Sequence, residues 1–166
     1  ILTTQQSVDQ REKFFATYPG LTPWHDRNRG LAHHRGYVRS PLGRVRHLPL
    51  INSRDREIVA KQERQAINSP VQATLSDMMQ YSMVQIGREY HSAPIQIVMM
   101  THDSITLYVP EDETTLWAKR ITDIMGNLPL TKEFGWEHQL QFTADASVSL
   151  AVDGVHSLAV MEELQL

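Results

Sequence analysis

Arg64, Asn68 and Gln72 recur at intervals of four, so on a single helix they form one polar stripe. Asparagine and glutamine offer a donor and an acceptor together, which suits the edges of bases and sugars. An arginine suits phosphate or a minor-groove acceptor. A hydrated helix surface has the same pattern. Further along, Thr101-His102-Asp103-Ser104 lies between two apolar runs. A carboxylate carried on rigid strands is a suitable hard-oxygen ligand for Mg2+ beside a substrate phosphate. Taken alone, Asp103 reads more readily as an ordinary turn aspartate, and a buried or capping histidine is the competing reading of His102.

These residues need elements to position them. The periodicity predicts a charged helix from Ser53 to about Asn68. Ser69-Pro70 reads as an N-cap with proline in the first helical position. The next helix then runs from Pro70 to about Tyr90, with Val71, Leu75, Met78, Met79 and Met83 as its core side. A proline inside the polar stripe would kink it. Pro94 to Met100 and Ile105 to Val109 are rich in β-branched and apolar residues. Joined by so few polar residues, they predict an antiparallel hairpin with Asp103 at its tip. After Pro110, the acids Glu111, Asp112 and Glu113 open a helix whose Leu116, Trp117, Ile121, Ile124 and Met125 suit packing on a sheet, and Gly126 and Pro129 close it. Residues Glu137 to Leu150 return to strand-like alternation, which makes the second half βαβ-like within an antiparallel sheet.

The N-terminal third alternates in the same way. A helix is predicted from Val8 to Tyr18 with Phe14, Phe15 and Tyr18 as an aromatic edge, ended by Pro19-Gly20. A second covers Trp24 to His34 and stops at Gly36. Gly36 to Pro49 carries a short hairpin signal around Pro41-Leu42-Gly43, decorated by Arg39, Arg44 and Arg46. The fold class is α+β.

Charge is divided along the chain. Ten of the sixteen basic residues lie between Arg27 and Arg64, whereas eleven acids from Asp103 to Glu163 face only Lys119, Arg120 and Lys132. A basic half with His25, His33, His34 and His47 mixed in suits a polyanion, and an arginine-rich solvated surface is the competing reading. With no cysteine there is no disulfide framework, no thiolate zinc site and no cysteine nucleophile. No His-x-x-x-His or His-x-His pair supports a metallohydrolase. At 166 residues and 41% apolar content, one domain or a large part of a bigger one is expected. Neither a long apolar run nor a leader is found, so no membrane role is expected and the chain is expected to be intracellular and cytoplasmic.

In this order, several segments resemble the C-terminal part of family A DNA polymerases, the DNA polymerase I family. They are Phe15, Tyr18 and Pro19, then Gly36-Tyr37-Val38 and Leu42-Gly43-Arg44-Val45-Arg46 with Leu48-Pro49. Glu63-Arg64 follows with Ala66-Ile67-Asn68, Pro70, Gln72, Thr74 and Asp77, and finally His102-Asp103. The resemblance covers roughly residues 11 to 145 and implies the C-terminal palm and fingers portion of a polymerase. It implies that Asp103 is the carboxylate of the family's third conserved motif, which holds Mg2+, or Mn2+ in its place, at the primer end. It places His102 close to the primer terminus and assigns Arg64, Asn68 and Gln72 to template and primer. Arg44 and Arg46 are expected on the duplex backbone. Primer-template DNA and deoxynucleoside triphosphates are the implied partners.

Some features depart from the family pattern. Ser104 stands where the family usually carries an acid, which is similar to the single-subunit phage-type RNA polymerases. Ala73 stands where glycine is common. The compact segments suit a phage or bacterial type, with a phage-encoded protein in a bacterial host as one source. Two-metal nucleotidyl transfer needs two aspartates and a cation on the incoming triphosphate. The family's first carboxylate motif and its fingers helix would lie upstream of Ile1. The expectation is a split polymerase, inactive as this chain alone and completed by an upstream polypeptide. A non-catalytic DNA-binding remnant is the alternative. Residues Val155, Leu158, Ala159, Val160 and Leu164 of the tail are expected to pack against a partner.

Overall fold

The computed structural model describes residues 3–138, 140–148 and 162–163. It divides into two compact units, up to Thr74 and from Leu75 onward. The tail residues from Val155 to Val160, and Leu164, lie outside the described residues.

In the first unit, helix α1 (Thr4–Thr17) begins earlier than its apolar pattern predicts because Thr3 caps it. The Thr3 hydroxyl accepts from the Gln6 N–H at 3.2 Å, and the Gln6 side chain accepts from the Thr3 N–H at 2.8 Å. Its predicted aromatic edge forms: Phe14 lies 5.7 Å from Phe15 and 5.1 Å from Tyr18, ring to ring. Helix α2 (Leu21–Arg35) ends at Gly36, whose φ of +73° is the left-handed cap that glycine adopts without a Cβ penalty.

The predicted hairpin follows as β1 (Tyr37–Arg39) and β2 (Val45–His47), paired Tyr37 to His47, Val38 to Arg46 and Arg39 to Val45. Its turn is closed by Ser40, whose N–H donates to the Arg44 carbonyl at 2.9 Å and whose hydroxyl accepts from the Arg44 N–H at 3.1 Å. The Leu48 N–H then donates to the Gly36 carbonyl at 2.7 Å, tying the hairpin to the end of α2. Ala32, Val38, Leu48, Ile51 and Ala66 form the core beneath it. Each of the three larger side chains contributes about 1.5–3 kcal/mol by leaving water.

Helix α3 (Arg56–Glu89) is continuous through Pro70. Asp55 caps it, accepting from the Glu57 N–H at 2.8 Å. The predicted break at Ser69-Pro70 is therefore corrected. Proline costs the helix one hydrogen bond, but Pro70 sits on a buried line made of Ala66, Pro70, Thr74, Met78, Ser82 and Ile86, each four residues from the last. Tertiary burial along this line overrides the local signal for a new helix start. The two hydroxyls on it are satisfied within the helix, Thr74 donating to the Pro70 carbonyl at 2.7 Å and Ser82 to that of Met78 at 2.9 Å. Met78 and Met79 are buried as expected, whereas Val71 and Leu75 are about half exposed, which corrects their assignment to the core.

In the second unit, β3 (Gln96–Thr101) and β4 (Ser104–Tyr108) form the predicted antiparallel hairpin. Ile97 pairs with Leu107 but Met99 with Thr106, so Val98 is an extra residue in β3. This bulge puts Ile97 and Met100 on the same face as Ile105 and Leu107, and all four are half-buried. After Pro110 the three acids form a 3-10 turn (Glu111–Glu113), and α4 (Thr114–Gly126) follows. Trp117 and Ile121 of α4 are buried. The indole N–H of Trp117 donates to Glu113 at 2.8 Å, Tyr90 meets the indole edge-on at 5.0 Å, and Arg120 stacks over it at 4.9 Å. Helix α4 closes at Gly126 as expected, and a separate short α5 (Leu130–Phe134) follows Pro129, with Leu130 buried and Phe134 against Tyr81.

The predicted strand over Glu137 to Leu150 is corrected too. Burial does alternate at Phe142, Ala144, Ala146 and Val148, but among the described residues only β5 (Ser147–Val148) is paired, with β6 (Glu162–Glu163). The two-stranded β3–β4 pair gains no third strand from this segment among the described residues, so the βαβ-like reading fails. Alternation marks one face, while a strand also needs a neighbouring edge. The α+β class holds.

Candidate functional site

The first group of candidate residues lies on α3. Arg64, Asn68 and Gln72 are all exposed. Each stands two positions before a member of the buried line Ala66, Pro70 and Thr74. Two residues turn a helix by about 200°, so the stripe faces away from the core. One unbroken helix therefore carries all three side chains in one row, closer to the stripe reading than a kinked pair of helices would be. Arg44 and Arg46 are also exposed, on the β1–β2 hairpin. Arg46 is paired with Val38 across the ladder.

Glu63 is held inward by His33. The ring Nε2 of His33 is 2.9 Å from Glu63 Oε1, and its Nδ1 is 2.9 Å from Asn52 Oδ1. The orientation of the Asn52 amide follows from its other bond, since Asn52 Nδ2 donates to the His33 carbonyl at 3.1 Å. Both ring nitrogens thus face acceptors, which only an imidazolium satisfies. The bond to Glu63, then that to Asn52, raises the His33 pKa above its ordinary 6.5, with burial opposing. In the sequence His33 stands out only as one of the histidines of a basic half. Its partners stand 19 and 30 positions away, with no local signal linking them.

The second group is the tip of the β3–β4 hairpin. Thr101 and Ser104 are the last ladder pair, leaving His102 and Asp103 as a two-residue turn. His102 takes φ +53°, the left-handed region that tight turns require. Ser104 Oγ donates to the Thr101 carbonyl at 2.9 Å and braces the turn. Both His102 and Asp103 are exposed, and among the described residues neither side chain has a hydrogen-bond partner. Asp103 is therefore where the hairpin reading places it, displayed on a defined turn with both carboxylate oxygens open. A depression of about 460 Å³ lined by Pro94, Gln96, Tyr108 and Pro110 lies at the hairpin's other end, away from this carboxylate.

The sequence pattern of DNA polymerase family A matches residues 2–152. The chain belongs to this family. It is 32% identical over 129 residues to the thermostable DNA polymerase I of Thermus filiformis, covering 75% of this chain and 16% of the relative. It is 30% identical over 147 residues to the DNA polymerase I of Pseudomonas aeruginosa, covering 81% and 16%. Among solved structures, the POL domain of Pol1 from M. smegmatis, in complex with DNA primer-template and dNTP, superposes with a TM-score of 0.70 at 26% identity. That match covers 76% of this chain and 23% of the domain. The chain thus spans about a sixth of the length of the curated relatives it matches.

Among the described residues no group of three or more His, Asp or Glu side chains stands together. Magnesium is commonly held by one or two carboxylates together with substrate phosphates and water. An exposed, unbonded Asp103 fits one ligand of such a shared site. Among the described residues, no helix is long and apolar enough to cross a membrane.

Proposed function

We propose that this chain is the C-terminal palm and fingers portion of a DNA-directed DNA polymerase. In this reading Asp103 supplies one carboxylate to a divalent cation, and Arg64, Asn68, Gln72, Arg44 and Arg46 hold primer-template DNA. The observation that carries it is the presentation of Asp103 on a braced hairpin turn, in a chain of this family. The bound Mg2+, or Mn2+, supplies charge neutralisation at the reacting phosphate. The residues of this chain do the positioning. The hairpin fixes the carboxylate, His102 lies beside the primer terminus, and the stripe on α3 orients the duplex end.

The remaining carboxylate and the cation on the incoming deoxynucleoside triphosphate would come from sequence outside these 166 residues. The M. smegmatis relative, solved in complex with primer-template and dNTP, supports DNA and nucleotide as partners. Chemistry of this kind places the protein wherever intracellular DNA is copied, with a phage-encoded origin compatible with it.

Primer extension with Mg2+ and deoxynucleotides tests this reading. The chain is assayed alone, then together with a polypeptide carrying the other family motifs, then as Asp103→Asn in that pair. Activity only in the wild-type pair is expected. Extension by the isolated chain would refute the shared active site. A silent pair that still binds primer-template would identify a non-catalytic DNA-binding remnant, and incorporation of ribonucleotides alone would move the protein to the RNA polymerase relatives.

A further inference from the structure

Glu63 and Arg64 are consecutive residues of α3 with opposite roles. Arg64 is exposed at the head of the polar stripe, while Glu63 turns inward to the His33 ring at 2.9 Å. A carboxylate next to a phosphate-facing arginine weakens that arginine's attraction for DNA, unless a cation neutralises it. His33 is placed to do so. It is also a mechanical tie: α2, the turn carrying Asn52 and α3 meet at one imidazole. A neutral ring has one N–H, so it serves one of the two acceptors and turns a lone pair toward the other.

We infer that His33 is a positioning residue for primer-template binding, fixing the rotation of α3 through Glu63 and Asn52 and screening the Glu63 carboxylate from the phosphate backbone. This rests on the polymerase reading above. Among charged groups near the ring, Glu63 faces it from α3, and on α2 Arg29 stands one turn earlier with its guanidinium bonded to Asp26 at 3.1 Å. Asn52 is neutral. Deprotonation of His33 therefore leaves Glu63 as an uncompensated charge beside Arg64.

The test uses the full 166-residue chain, its His33→Arg and His33→Gln variants, and a fluorescent primer-template whose affinity is followed by anisotropy from pH 5.5 to 8.5. Arginine keeps a permanent cation with donors for both acceptors, and glutamine keeps a hydrogen bond without the charge. Because the chain has seven other histidines, the readout is the difference between wild type and His33→Arg. Wild type is expected to lose about two- to fivefold more affinity than His33→Arg as the pH rises, the range for a half-exposed ion pair. His33→Gln is expected to bind weakly throughout, with a profile parallel to that of His33→Arg. Histidine NMR on the same samples should show the His33 ring titrating in step with the affinity.

Parallel wild-type and His33→Arg profiles would overturn the inference while leaving the polymerase reading intact. A wild-type chain that prefers single strands to primer-template at pH 6, and that Arg64→Ala does not weaken, would overturn the polymerase reading and this inference with it.

Discussion

Ser104 Oγ donates to the Thr101 carbonyl oxygen at 2.9 Å, across the last pair of the β3–β4 ladder. Between these residues His102 is held at φ +53°. The left-handed conformation costs an L-residue about 1–2 kcal/mol, less for asparagine and glycine and most for β-branched side chains. His102→Gly and His102→Asn should therefore keep the hairpin, and His102→Val should destabilise the chain by about 1–2 kcal/mol in urea denaturation. Ser104→Ala should cost about 0.5–1 kcal/mol for the lost hydroxyl bond. Equal stability of the valine and asparagine variants would mean that the turn does not impose this conformation.

The stripe on α3 predicts a division of labour in binding. Arg64→Ala should weaken primer-template binding about equally for every sequence and lower the salt dependence, plotted as log affinity against log salt, by about one. Asn68→Ala and Gln72→Ala carry no charge change, so they should leave that slope unaltered. Titrations at several KCl concentrations measure both quantities, and an unchanged slope for Arg64→Ala would remove Arg64 from the phosphate contacts.

What was legible in the sequence depended on whether the deciding information was local. Four polar residues between apolar runs sufficed for the β3–β4 hairpin and for Asp103 at its tip. The Val98 bulge was not legible, because it exists only in the pairing between Ile97–Leu107 and Met99–Thr106. Ser69-Pro70 carries a valid helix-start signal, and it was overridden by burial of Ala66, Pro70 and Thr74 along one line. That line was hidden because half its members are small or polar, while the apolar Val71 and Leu75 are about half exposed. The charge division of the chain was read correctly as a number, yet the contact that organises its basic half joins His33 to a glutamate 30 positions away. No periodicity reports such a pair.

Pro70 also yields a prediction of sign. Its ring occupies a buried site, but an interior proline disfavours a helix by about 3 kcal/mol relative to alanine. Loss of the ring's burial gives back about 1 kcal/mol of that. Pro70→Ala should thus stabilise the chain by about 1–2 kcal/mol, measured as a raised urea midpoint with unchanged slope. A destabilised variant would show that the ring's packing outweighs the missing N–H.

His33 and Glu63 predict how stability varies with pH. The Glu63 hydrogen bond is the largest cause raising the His33 pKa above 6.5, followed by the bond to Asn52. A group raised in the folded state stabilises that state fully below its unfolded value and loses the contribution as pH rises through its folded value. Wild-type stability owed to this pair should therefore be complete below pH 6.5 and fall as the pH climbs above it. The two side chains are 37% and 32% exposed, so solvent screening holds the contribution to about 1 kcal/mol or less. In Glu63→Gln the carboxylate is gone while a carbonyl acceptor remains, so the His33 titration should move down toward 6.5 and the slope of stability against pH above 6.5 should flatten. Histidine NMR and urea denaturation between pH 6 and 8.5 give the two readings. A Glu63→Gln slope equal to wild type would assign the pH dependence to other histidines and leave His33 a neutral hydrogen-bonding partner.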